Sequence, residues 1–217
     1  MRGHWIIFSA FGLLAAIILA FFAIRLQPIK PPQAREDERP LPGSLVSPSI
    51  TYVDPMRGAP EGDVTIVTFS DFACSHCATL DSAIARLLEA DTHLKHVWKD
   101  MPNEGGNALS TPAALAAECA AREGRFWEFH DKLFAQQDFL SDEFLRLLAQ
   151  EIGLDAERFG ACLGNRETLP LVRRDYEEGI ALGVEATPTF YVNNVQHVGV
   201  ISDAELASYV AEARRTL

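Results

Sequence analysis

The pattern of apolar positions divides the chain into three regimes. Trp5 to Ile24 carries no charged side chain and is dominated by Ile, Leu, Ala and Phe. As a helix, a run of that length rises roughly 30 Å, the thickness of a bilayer core. Arg2 precedes it and Arg25 closes it, so residues 1–25 are expected to form an N-terminal transmembrane helix serving as a signal-anchor. A cleaved signal peptide shares the basic start and the apolar run. The length of the run and the bulky Phe21, placed where a cut after Ala23 needs a small residue, favour retention. Both readings export everything beyond Arg25.

The second regime, residues 26–50, has no periodicity. Six of the twelve prolines fall between Pro28 and Pro48, mixed with Arg35, Glu36, Asp37, Glu38 and Arg39. Proline and charge together bury too little surface to fold, which predicts an extended spacer.

Regular patterning begins near Thr51. Asp63–Phe69 is β-branched and reads as a strand; Cys74–Ala90 places Leu80, Ile84, Leu87 and Leu88 on one helical stripe. Leu94–Lys99 alternates as a second strand. From about 107 to 169 the spacing is helical and rich in Ala and Leu, with helices expected at 125–136, 141–152 and 155–162, the last two opened by Ser141 and Asp155. A further helix runs to Leu182. Two short strands, Thr189–Val192 and Val195–Val198, flank the Asn193–Asn194 turn, and Ser202-x-x-Glu205 is a capping box for the last helix. The order β-α-β, helical block, β-β-α predicts an α/β domain whose sheet is completed by distant parts of the chain.

Charge and cysteine content narrow the chemistry. The net charge of −11, with no basic stripe, argues against nucleic acid as a partner. A domain this size needs no disulfide framework, so its four cysteines call for another explanation. Cys74-Ser75-His76-Cys77 follows a strand and opens a helix. Residues three apart in a first helical turn share a face, and the helix N-terminus favours a thiolate. Cys74 is then the expected nucleophile, His76 when protonated adds to the stabilisation, and Cys77 is the resolving partner. A thiophilic metal site or a purely structural disulfide also fits a lone C-x-x-C. The remaining histidines are not clustered in sequence, no metal ligand set is expected, and the aromatics from Phe126 to Phe134 are expected to be core.

The stretch Phe69-Ser70-Asp71-Phe72-Ala73-Cys74-Ser75-His76-Cys77 resembles the active-site segment of DsbA-like thiol–disulfide oxidoreductases of the thioredoxin superfamily. Gly183-Val184-Glu185-Ala186-Thr187-Pro188-Thr189-Phe190 and Ala113–Phe134 resemble two further parts of that family. The resemblance covers most of 51–217. It implies a thioredoxin-like fold with an inserted α-helical domain, catalytic Cys74 and Cys77 with Ser75 and His76 between them, a cis peptide before Pro188, and substrate binding at Thr187 and Pro188. It also implies a structural Cys119–Cys162 bridge.

The implied activity is disulfide exchange with thiol-containing exported proteins, most simply as a dithiol oxidase. A reductase or isomerase fed by a transmembrane thiol donor is the alternative, and a Cu(I)-binding chaperone a more distant one. No organic cofactor is implied; the partners are unfolded exported proteins and a quinone-linked membrane redox protein. The expected place is the cytoplasmic membrane, single-pass, with the domain facing the periplasm or cell exterior. Two departures stand out. Thr68 occupies the position of the family's buried glutamate and cannot take a proton, which leaves Lys99 on the neighbouring strand, or water, to assist thiol deprotonation. Ser75 replaces the proline of the family's oxidases between the cysteines.

Overall fold

The computed structural model describes residues 41–103 and 105–216; the expected membrane anchor and most of the spacer lie outside the described residues. Among the described residues no helix is long and apolar enough to cross a membrane. The elements, in order, are β1 (Met56–Gly58), β2 (Val64–Ser70), α1 (Ser75–Ala90), β3 (Leu94–Asp100), α2 (Ser110–Ala121), α3 (Phe126–Ala135), a 3-10 turn (Gln137–Phe139), α4 (Asp142–Glu151), α5 (Ala156–Gly164), α6 (Leu169–Ala181), β4 (Thr189–Val192), β5 (Val195–Val198) and α7 (Asp203–Arg215).

The five strands form one mixed sheet in the order β1-β3-β2-β4-β5. β2 and β3 are parallel, with Thr68 opposite Trp98 and Ser70 opposite Asp100. The other pairings are antiparallel. β1 is the element that patterning alone did not reveal. At three residues it is too short to show alternation, and its pairing partner is β3, some forty positions away in sequence.

Alternation along the strands assigns the two faces of the sheet. Val64 and Ile66 of β2 join Phe190 and Val192 of β4 against α1 and α7, through Leu80, Ile84, Leu206 and Val210. Val67, Phe69, Val97 and Tyr191 face the other way, toward Leu182 and Val184, with Tyr176 and Ile180 of α6 alongside. α6 approaches that face so closely that a Cβ on Gly179 would lie 2.7 Å from Met101 Sδ. The inserted helices α2–α5 bury their own core, which reaches the sheet through Phe72 and Trp98, stacked with centroids 4.7 Å apart. Cys119 of α2 and Cys162 of α5 are joined within that block, with an S–S distance of 2.06 Å.

A charged cluster sits on the α6 face. The fully buried Lys99 ammonium lies 3.0 Å from Asp54, 3.0 Å from Glu178 and 3.6 Å from Asp175. Burial alone would lower the pKa of Lys99, but Asp175, Asp54 and Glu178 outweigh it and the net shift is upward. Arg174 adds a second cation, bonded to Asp54 and Asp175. Nearby, Glu118 of α2 is pushed up to about 8, first by burial and then by Asp175.

Two outcomes follow. Lys99→Met leaves Glu178 without its cation and Asp54 and Asp175 with Arg174 alone, and lowers unfolding free energy in urea by roughly 3–5 kcal/mol. The Glu118 carboxyl binds its proton more tightly folded than unfolded, so it subtracts stability as pH rises through the interval between the two pKa values. Glu118→Gln matches the parent at pH 4 and gains on it progressively toward pH 8; parallel stability curves would contradict this.

Candidate active site

The site is built at the exit of β2. Asp71, 4% exposed, ends the strand and holds the turn that follows. One of its carboxylate oxygens accepts from the Ala73 amide at 2.8 Å; the other accepts from the Asn103 amide at 3.0 Å and the Ser110 hydroxyl at 2.8 Å. One side chain thereby ties the active-site turn to the loop after β3 and to the first residue of α2. Gln137 donates to the Phe72 carbonyl from the far end of the helical block. The chain then enters α1 with Cys74 as N-cap in extended conformation, its Sγ accepting from the Cys77 amide at 3.3 Å. Sulfur here occupies the place usually taken by a capping hydroxyl or carboxylate.

The two cysteines are free thiols of opposite character: Cys74 is half-buried and Cys77 buried. The pKa of Cys74 is lowered to about 6. The largest cause is a hydrogen bond from the Cys77 side chain, which outweighs burial, with the Cys77 and His76 amides and the Thr187 side chain adding to it. Cys77 moves strongly upward, because burial disfavours its thiolate and its bond to Cys74 holds its proton; contacts with Ser70 and the Asp71 amide oppose this only in part. At neutral pH the pair therefore offers one half-buried outer thiolate and one inner thiol.

The expected cis peptide is present between Thr187 and Pro188. The Thr187 carbonyl lies 3.6 Å from Cys74 Sγ. Gly199 donates to the Pro188 carbonyl at 2.8 Å, and the Thr189 hydroxyl to the Ala186 carbonyl at 2.7 Å, so both flanks of the loop are tied down. An open cavity of about 480 Å³ adjoins Thr187, between the loop after β3 and the C-terminal end of α6.

The other residues expected from sequence divide clearly. Ser75 and His76 are exposed, and His76 reaches Cys74 through its backbone amide. The Cys119–Cys162 pair belongs to the helical block and contributes no sulfur to the site. The expectation for Lys99 is corrected. Its strand position points to the α6 face, whereas α1 and Cys77 lie on the opposite face, and its ammonium is engaged by three carboxylates.

On the α1 face, Thr68 instead meets His96, with Oγ1 and Nε2 2.9 Å apart. Arg57 donates to His96 Nδ1 at 3.1 Å, which fixes the proton on Nε2 and makes Thr68 the acceptor. Burial holds His96 well below its usual pKa. Arg57 also pairs with Asp81 at 2.7 Å and Asp131 at 3.0 Å, and stacks over Trp127. Asp81, His130 and Asp131 could converge on a metal ion, but the Arg57 guanidinium already supplies the positive charge there. None of these partners was evident in sequence. Asp71 left one local signal, an Asp two residues before Ala73 in an Asx turn.

Comparison with known proteins agrees with this geometry. The family model described as thioredoxin matches residues 51–212. A thioredoxin-like oxidoreductase from Silicibacter pomeroyi DSS-3 superposes with a TM-score of 0.70 at 28% identity, covering 76% of this chain and 94% of that one. Oxidised BdbD from Bacillus subtilis gives 0.70 at 25% identity, covering 82% of this chain and 100% of its own. A curated relative named Na(+)/H(+) antiporter NhaA 3, from Salinispora tropica, is 36% identical over 160 residues, 74% of this chain. The chain spans about a quarter (24%) of that relative's length. The helix-capping Cys74 with Cys77 one turn on, beside the cis-proline loop, agrees with a family match over residues 51–212: the chain belongs to the thioredoxin family, among the DsbA-like thiol–disulfide oxidoreductases of that superfamily.

Proposed function

We propose that this protein is a dithiol oxidase that passes the Cys74–Cys77 disulfide to thiols of exported polypeptides. The observation that carries this reading is the asymmetry of the pair. A Cys74 thiolate stabilised to about pH 6 favours the reduced enzyme, and so makes the oxidised form a stronger oxidant.

In the forward direction a substrate thiolate attacks Cys74 Sγ. The Cys74–Cys77 bond breaks, and Cys77 leaves with the electron pair and takes up a proton, as its burial demands. A second substrate thiolate then attacks the substrate sulfur of the mixed disulfide. Cys74 departs as a stabilised thiolate, and low pKa makes it a fast leaving group. Two electrons now reside on the enzyme, and a quinone-linked membrane partner removes them. Thr187 and Pro188 receive the substrate strand beside Cys74. The N-terminal segment anchors the domain on the outer side of the cytoplasmic membrane. Neither step calls for a bound organic cofactor or a metal. The antiport named for the curated relatives is not carried over, because the match is confined to about a quarter of their length.

Two measurements test the proposal. Thiolate absorbance of the reduced protein should titrate with a midpoint near pH 6 and disappear in Cys74→Ser. A midpoint near 9 would remove the basis for the reading. Equilibration with glutathione buffers should give a reduction potential above roughly −150 mV. A value near or below about −250 mV would assign the protein instead to reduction, fed by a transmembrane thiol donor.

A further inference from the structure

The residues ahead of the folded core are not all free of it. The Leu45 amide donates to the Ala181 carbonyl at 2.8 Å, at the C-terminal end of α6. Ser49 is bonded through its amide to Glu178, one turn earlier in the same helix. Between these ties and the start of the described chain, Gly43 runs beside Gly183, where a Cβ would meet the Gly43 Cα at 3.8 Å. Gly183, at φ 75°, is the residue where α6 turns into the loop carrying Thr187 and Pro188. Pro42 completes the arrangement. It lines the cavity of about 480 Å³ whose other walls include Met101, Tyr176, Val184 and Thr187.

The Thr187 side of this cavity lies against the nucleophile, since the Thr187 carbonyl is 3.6 Å from Cys74 Sγ. A polypeptide cysteine attacking Cys74 therefore brings its neighbouring residues to the cavity mouth. The lining is mostly apolar, with Asn103, Tyr176, Glu185 and Thr187 as its polar members, which suits an extended segment with an apolar side chain next to its cysteine. The strap at 41–45 narrows this cavity from one side and leaves it open.

We propose that the spacer segment Leu41–Leu45 is a working part of the peptide site: it is a strap that supplies one wall of the substrate groove through Pro42, so that peptide affinity depends on its being docked. This rests on the reading of the protein as an oxidase of polypeptide thiols. The strap is held to α6 by a backbone bond that proline cannot make, and its wall is a single pyrrolidine ring. Each can be removed without touching Cys74, Cys77, Thr187 or Pro188.

The experiment uses the full chain in detergent, with oxidised glutathione to regenerate the Cys74–Cys77 disulfide and the enzyme-free rate subtracted. Leu45→Pro undocks the strap, and Pro42→Gly removes the wall while leaving the tie in place. Substrates are a dicysteine peptide with an apolar residue beside one cysteine, and dithiothreitol, which is too small to reach the strap. Both variants should raise peptide KM about five-fold, the effect of losing one or two methylenes of contact, with peptide kcat and the dithiothreitol rate unchanged. Peptide KM unchanged or lowered in both variants, with the parent active on peptide, overturns the strap while leaving the oxidase reading intact. A parent that oxidises dithiothreitol but not peptide overturns both. A parallel loss on both substrates in Leu45→Pro with Pro42→Gly at parental KM also counts against the strap, as general damage rather than a lost wall.

Discussion

The arrangement depends on a single buried carboxylate. Asp71 takes three hydrogen bonds from three segments that are distant in sequence: its own turn, the loop leaving β3, and the start of α2. Each bond satisfies a polar group that would otherwise be stranded where water cannot reach it. Together they fix the point at which β2 stops and α1 begins. That point decides which residue caps α1, and so which sulfur receives the helix's free amides. Without that fixed turn the C-x-x-C would be two thiols on a frayed helix end. With it, Cys74 sits outward as an acceptor and Cys77 is drawn under it toward Ser70.

The reactive pair and most elements were legible because each has a local signature, whereas the cis-proline was implied only by the family resemblance. The 2.0 and 3.6 periodicities located four of the five strands and helices α1, α3, α4 and α5 to within one or two residues, and Ser141, Asp155 and Ser202 cap the helices they announced. Local signals also carried the site, since the cysteine spacing is read within one turn of one helix. What sequence withheld was contact between distant segments. β1 exists because β3 offers an open edge, and Arg57 matters because it is held jointly by α1 and α3. Nothing near Leu45 announces that its amide will meet the end of a helix more than a hundred residues later.

Lys99 shows how one geometric fact can overrule plausible chemistry. A lysine on the strand next to the active-site strand is near the cysteines in topology, yet strand alternation sends its side chain to the far face. There it offsets carboxylates that would otherwise repel each other in a poorly polarisable interior. On the near face, the position occupied by an acid in the family's known oxidases holds Thr68, which receives a hydrogen bond from a histidine kept neutral by burial and by Arg57. That chain of donors carries no removable proton at neutral pH. The proton of Cys77 must therefore leave by another route.

The two faces of the sheet thus carry separate inventories: sulfur and helix dipole on one, a compensated cluster of charge on the other. The five-stranded sheet lies between them. Substitutions that tune how firmly the domain holds together as acidity changes can accumulate behind the sheet, while those that tune electron affinity accumulate in front of it, with little interference between the two. That division lets acid tolerance and redox strength evolve as separate traits.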